Sequence, residues 1–151
     1  MNEPNWTDIL QGIGTFGAFL TTIVGFLFLY FQVRQIERSI RSTIDQTLYE
    51  HNARIMEFLT NHPEMRKYFY DGVDIVATDP QYSQVLSVAE ILACFMELVA
   101  MHRKDIRPDI MRRWIYYIRE VCSTSPILRR HISDHSTWYA QELHDILSHR
   151  E

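Results

Sequence analysis

The sequence has little of what catalytic motifs require. Only five of its 151 residues are glycine and only two are cysteine. It contains neither a glycine-rich phosphate loop nor a G-x-S-x-G nucleophile motif. Cys94 and Cys122 form no C-x-x-C pair, and each lies in an apolar helical pattern, so we expect two free core thiols in a reducing compartment. We therefore predict no catalytic residue and no cofactor, and the protein is not expected to be an enzyme.

Metal-ligand motifs are also absent, although the chain has seven histidines. Neither H-E-x-x-H nor a paired Glu-x-x-His pattern occurs. The densest cluster comprises His131, Asp134, His135 and His144. His131 and His135 are four residues apart and can share one helix face, but a helix break is expected near Ser136. We interpret the cluster as surface histidines and predict no metal site.

Scattered polar residues leave one alternative open, a pocket assembled within the helical domain. Its members would be Glu90, Glu97, His102 and Tyr117. Solvated charges on the back face of a helix explain the two glutamates equally well. The mild net charge of −4 indicates no nucleic-acid partner.

Charge is missing altogether from Ile9 to Val33, a run of 25 residues. About 20 mainly apolar residues are enough for a helix to cross a bilayer. The run is too long for the apolar part of a signal peptide, its leader has no Lys or Arg, and no small-residue cleavage site follows. We predict one transmembrane helix.

The flanks of this run predict its orientation. Arg34, Arg38 and Arg41 follow the span, whereas the leader is acidic. Positive charge favours the cytoplasmic side, and Trp6 and Tyr30 suit interfacial positions. We therefore predict the cell inner (plasma) membrane, with the N-terminus outside and the C-terminal domain in the cytoplasm.

One face of the predicted span is mostly small or polar. Its members follow at alternating spacings of four and three: Gln11, Thr15, Ala18, Thr22, Gly25, Leu29 and Gln32. Small residues allow membrane helices to approach closely, and polar ones bond across them. This stripe predicts either self-association or a narrow pore.

Beyond the span the same helix is expected to continue, because no Pro or Gly occurs before Pro63. A narrow apolar line, the seam, consists of Ile36, Ile40, Ile44 and Leu48. Such a line on an otherwise polar helix needs a partner. That partner is either another copy or other helices of the same chain.

The remainder shows helical periodicity and no alternating strand pattern. Prolines predict helix starts at Pro63, with Asn61 as its cap, and at Pro108 and Pro126. Asp79-Pro80 is expected to open the helix over 82–102 in the same way, and a last helix is expected over 136–148. The helix over 82–102 has a wide apolar face that includes Ile91, so we expect it to be the central helix of the domain. We expect Val88, Leu92, Phe95, Trp114 and Ile118 at the core. The predicted fold is all-α: one N-terminal transmembrane helix continuing into a long amphipathic helix, then a small helical bundle. The predicted divisions are a leader (1–8), a transmembrane helix (9–33), an amphipathic connecting helix (34–62) and a cytoplasmic helical domain (63–151).

Several segments carry a resemblance, namely FLTNHPEMRKYFYDG, AEILACFMELV, WIYYIREVCSTSPILRRHI and WYAQEL. Together with the segment Val33-Arg34-Gln35 at the end of the span, they resemble a class of uncharacterised bacterial single-pass membrane proteins with a compact helical cytoplasmic domain. The resemblance covers most of the chain after the span. It implies the fold and brings no catalytic residues.

Two functions are consistent with these features. The first is a membrane-anchored interaction or scaffold subunit that self-associates or joins a larger membrane complex. The second is a small homo-oligomeric ion channel whose stripe faces a pore, although no charged ring is present to set selectivity. The lipid bilayer is the expected partner in both.

Overall fold

The fold is that of a computed structural model, which describes the backbone of residues 6–148 and the side chains of residues 14–148. Every regular element in this range is helical, which confirms the all-α prediction and the long N-terminal helix. Most of the predicted leader, residues 1–5, lies outside the described residues. The side chains of Trp6 and Gln11 lie outside them too.

Six α-helices and one 3₁₀ turn make up the described chain. They are α1 (Trp6–Asn61), α2 (Pro63–Tyr70), α3 (Tyr82–Met101), α4 (Pro108–Thr124), α5 (Pro126–Asp134), the 3₁₀ turn (Ser136–Trp138) and α6 (Gln141–Ser148).

Proline sets three of the four predicted helix starts; the prediction for Pro80 is wrong, because it lies in the turn before α3, which begins at Tyr82. Pro63, Pro108 and Pro126 each open a helix, where the missing N–H would have no helical partner and the ring already has helical φ. Asn61 was predicted as the cap of α2, but it is the last residue of α1, and His62 precedes α2 instead.

The predicted helix over 136–148 is wrong in its first half. A 3₁₀ turn ends at Trp138, and Tyr139 is extended before α6 begins at Gln141. The extended backbone places the Tyr139 ring in the core, and the Ala140 N–H donates to Glu97 Oε1 at 2.6 Å. Contacts distant in the chain therefore interrupt the local helical pattern.

The chain divides into two units, one up to Ile40 and one from Arg41 onward. The described part of the first unit is a segment of α1 alone. The second unit contains the rest of α1 and all other helices around one hydrophobic core.

The core of the second unit confirms the five predicted residues, all of which are buried. Helix α3 buries nine residues and packs against α2, α5 and α6, so it is the central helix that its wide apolar face predicted. Phe95 meets Trp114 edge to face, with ring centroids 5.4 Å apart.

Two polar features connect the short helices to this core. Ser125 is fully buried between α4 and α5; its Oγ donates to Tyr68 O at 2.8 Å and accepts from Leu128 N at 3.3 Å. Tyr70 and Tyr117 share a hydroxyl–hydroxyl hydrogen bond of 2.8 Å. Burial is the main cause that raises the pKa of both phenols, so both stay neutral and the bond joins α2 to α4.

Candidate functional site

The N-terminal part of α1 has the largest uncovered apolar surface of the described chain. Every side chain from Gly14 to Thr43 is exposed, including twelve large apolar side chains between Phe16 and Val33. Within the described residues, two helices are long and apolar enough to cross a membrane, α1 from Gly14 and α3. Half of the α3 window is buried and none of the α1 window is, so α3 is a core helix and α1 presents its apolar side chains outward.

The described stripe residues, from Thr15 to Gln32, all lie on this exposed segment. A Cβ added at Gly14, Gly17 or Gly25 would meet nothing within 4 Å. The chain's own packing therefore does not require glycine at these positions, although glycine lowers helix stability by roughly 1 kcal/mol relative to alanine. An external neighbour that approaches closely would account for it.

Two threonines of the predicted span satisfy their hydroxyl groups within the helix. Thr21 Oγ1 donates to Gly17 O and Thr22 Oγ1 donates to Ala18 O, both at 2.9 Å. Back-bonding of this kind is common for threonine in helices. Their presence on an apolar helix is thus compatible with lipid surroundings and does not require a water-filled path.

The structure divides the seam into two pairs. Ile36 and Ile40 are 57% and 52% exposed, whereas Leu48 is 1% exposed and Ile44 is half-buried against the core of the second unit. In an α-helix, each step of four residues moves the side chain about 40° further around the axis. A line of residues spaced by four therefore does not stay on one face. Ile44 and Leu48 pack within the chain, and an external contact at Ile36 and Ile40 stays a prediction.

One member of the histidine cluster is buried, so the interpretation of the cluster as surface histidines is wrong for His131. His131 is only 4% exposed and its Nε2 shares a hydrogen bond of 2.9 Å with Tyr139 Oη, while its Nδ1 is buried without a partner among the described residues. Burial is the first cause that lowers the His131 pKa, and neighbouring His135 lowers it further. The ring is therefore a neutral core group. Within residues 14–148, no three His, Cys, Asp or Glu side chains are arranged to hold a metal.

The alternative pocket of scattered polar residues is not assembled either. Glu97 accepts from the Ala140 backbone, Tyr117 bonds Tyr70, and His102 lies 3.5 Å from Asp105. These three side chains thus have their partners in different places, and Glu90 lines an apolar groove that contains none of the other three. Glu97 is half-buried, so the alternative interpretation of it as a solvated charge is wrong.

The two thiols differ in their surroundings. Both are free, but Cys122 is buried and Cys94 is exposed, so the prediction of two core thiols is wrong for Cys94. Burial raises the pKa of Cys122 to about 12, which keeps it an inert thiol at neutral pH.

An apolar groove of about 600 Å³ beside Cys94 escaped the sequence reasoning. It lies between α3 and the part of α1 that contains His51 and Ile55. Ile91 was predicted on the buried face of α3 but is 57% exposed at this groove. The helical period places Ile91 on a wide apolar face, and only the packed neighbours determine how much of that face they cover.

A cleft of about 570 Å³ lies among α4, α5 and α6. Arg119 Nε donates to Ile146 O at 2.9 Å, and His144 Nε2 is 3.0 Å from Ser136 O in a further hydrogen bond. These polar groups attach α6 to the rest of the unit, so part of the cleft's lining has a structural role.

No protein-family model, curated protein or solved structure matches the chain.

Proposed function

We propose that the chain is a membrane-anchored, non-enzymatic helical subunit that associates with itself or joins a larger membrane complex. The observation that supports it is the complete exposure of the apolar segment from Gly14 to Val33. Transfer of each large apolar side chain out of water contributes roughly 1.5–3 kcal/mol. The apolar side chains of this segment are exposed, so lipid is its expected surroundings.

Self-association is the preferred form of this proposal because two features converge on it. Glycines of the span have open space around them, and Ile36 and Ile40 are exposed beyond the span. Small residues supply close approach in lipid, and the two isoleucines supply apolar contact in water. A second copy of α1 meets both requirements at once.

The association test is a mass measurement of the full chain in a mild detergent, supported by cross-linking in native membranes. Ile36→Asp with Ile40→Asp should disperse the assembly, and Gly25→Leu should weaken or re-register it. The matched controls are Gln35→Asp with Ser39→Asp, at the same spacing, and Ile23→Leu, off the stripe. A monomeric parent, or variants that assemble like the parent, would contradict self-association.

A monomeric parent would still allow the complex-subunit form of the proposal. In that case the two isoleucine substitutions should release the chain from its complex in native membranes. Retention of the complex by the Ile36→Asp, Ile40→Asp variant would then show that these side chains are not the contact.

The proposed orientation has the C-terminal unit in the cytoplasm of the cell, inside its inner membrane. The chain contains its own probe, since Cys94 is exposed and Cys122 is buried. An impermeant maleimide should label Cys94 only after the cells are permeabilised, and Cys94→Ser should abolish that signal. Labelling of Cys94 in intact cells would reverse the orientation.

The ion-channel alternative gains no specific support, because the Thr21 and Thr22 hydroxyls bond within α1. It is tested by ion flux in liposomes that contain the parent chain. A flux that Thr22→Leu abolishes would favour the channel over the interaction subunit.

A further inference from the structure

Five cationic side chains meet at one open pocket of the second unit. The pocket has a volume of about 450 Å³ and lies where the α3–α4 loop and the start of α4 approach Arg41. The cations that line it are Arg41, Arg103, Lys104, Arg107 and Arg112. Four of them lie within residues 103–112, and the fifth, Arg41, is brought to them from α1 by the fold.

Most of this positive charge is not neutralised within the chain. Arg107 pairs with Asp109 at 3.2 Å, and Asp105 lies 3.5 Å from His102. Among the residues that the structure describes, the other four cations make no ion pair within 4 Å. With the two aspartates counted, five positive and two negative charges leave a net charge of +3 at the pocket.

The rest of the pocket suits an amphiphile with a phosphate group, because it combines apolar side chains with a helix N-terminus. Ile106 and Met111 are buried beneath the charged side chains, and Ile115 is half-buried beside them. Helix α4 begins at Pro108, and no side chain caps its first N–H groups. The positive end of this 17-residue helix therefore adds to the attraction for an anion.

The position of Arg41 in the chain indicates which anion is available to the pocket. Arg41 lies only eight positions after Val33, the last residue of the predicted span. Eight residues span at most about 28 Å even when fully extended. Groups of four to eight Lys and Arg that directly follow a span on the cytoplasmic side attract anionic lipids.

We propose that this pocket binds the phosphate of an anionic phospholipid headgroup in the cytoplasmic leaflet. The inference rests on the proposed membrane anchoring and adds a lipid-recognition site to it. Free phosphate shares the same chemistry. However, a surface pocket with unpaired cations over apolar side chains, close in the chain to a span, favours the lipid.

The experiment titrates the full chain in nonionic detergent with phosphatidylglycerol or phosphatidylcholine of identical acyl chains, and native mass spectrometry counts the bound lipids. The test variant is Arg103→Gln, Lys104→Gln, Arg112→Gln, which breaks no ion pair of the described chain. The matched control, Arg54→Gln, Lys67→Gln, Arg129→Gln, removes the same residue types from exposed positions elsewhere. Circular dichroism confirms that both variants remain folded.

The parent and the control should prefer phosphatidylglycerol over phosphatidylcholine, and the test variant should lose most of this preference. Each cation near an anionic lipid surface contributes roughly fivefold to binding, so we expect a loss on the order of tenfold or more. The preference should also weaken with added salt.

Four results would overturn the lipid site. These are equal affinity of the parent for both lipids, an unchanged preference in the test variant, displacement of the lipid by inorganic phosphate, and displacement by an oligonucleotide. The titration is done in detergent and does not require insertion. A failure of the proposed anchoring would appear separately, as release of the parent from cell membranes by alkaline carbonate.

Discussion

The most apolar windows of α1 and α3 have the same mean hydropathy, 1.8, but opposite surroundings: half of the α3 window is buried and none of the α1 window is. The difference lies in how polar residues are distributed. Glu90 and Glu97 interrupt α3, and Ser87 lies on its exposed side, whereas the α1 segment from Gly14 to Val33 contains no charged residue. A helix with one polar side can join a core, and a helix that is apolar on all sides needs apolar surroundings on all sides.

Arginine substitutions in α1 and in α3 should differ most strongly in their effect on membrane association. Leu20→Arg with Val24→Arg places two charges near the middle of the predicted span, at roughly 2.5–3.5 kcal/mol each. We expect the variant to leave the carbonate-resistant membrane fraction. The matched pair at exposed α3 positions, Ser87→Arg with Ile91→Arg, should stay in it. Equal behaviour of the two pairs would contradict the distinction between α1 and α3.

Removal of a buried aromatic ring tests whether α3 is packed in the core. Phe95 is buried against Trp114, so Phe95→Ala should lower the free energy of unfolding by about 3–5 kcal/mol. Tyr116 is largely exposed, and Tyr116→Ala should change it by less than about 0.5 kcal/mol. Denaturant unfolding followed by circular dichroism measures both. A loss below about 1 kcal/mol at Phe95 would mean that its ring is not packed.

A smaller loss is expected from a buried hydroxyl group. Ser125→Ala leaves Tyr68 O and Leu128 N without their partner and should reduce the free energy of unfolding by about 1–3 kcal/mol. Ser87 is the control, because its Oγ donates to Ser83 O on the exposed side of α3. If Ser87→Ala cost as much as Ser125→Ala, burial would not be the reason.

The smallest expected effect concerns pH. The His131 pKa in the folded chain lies below its ordinary value, so the unfolded chain binds a proton more readily. Stability is then fully present above about pH 6.5, the pKa of an unperturbed histidine. It falls as the pH decreases towards the folded-state pKa. Thermal unfolding midpoints measured across this range should depend less on pH in His131→Gln than in the parent. An unchanged pH dependence in His131→Gln would exclude His131 as its source.

Local stereochemistry made much of the fold predictable. Pro63, Pro108 and Pro126 determine helix starts through their own ring geometry, and the wide apolar face of α3 marks the central helix. The interruption at Tyr139 was not predictable, because it depends on Glu97, 42 residues earlier in the chain. The exposure of Ile91 was missed for a related reason, since periodicity describes a face and not the neighbours that cover it.

The sequence by itself determined the helical class, the continuous helix up to Asn61 and the charge-free run of 25 residues. These properties arise from neighbouring residues, whose periodicity and backbone preferences act locally. Only the tertiary structure decided that Leu48 packs in the core, that Cys94 is exposed and that Arg41 joins Arg103 and Arg112 in one pocket. Those outcomes depend on which distant helices pack together, and side-chain contacts across the whole second unit determine that packing.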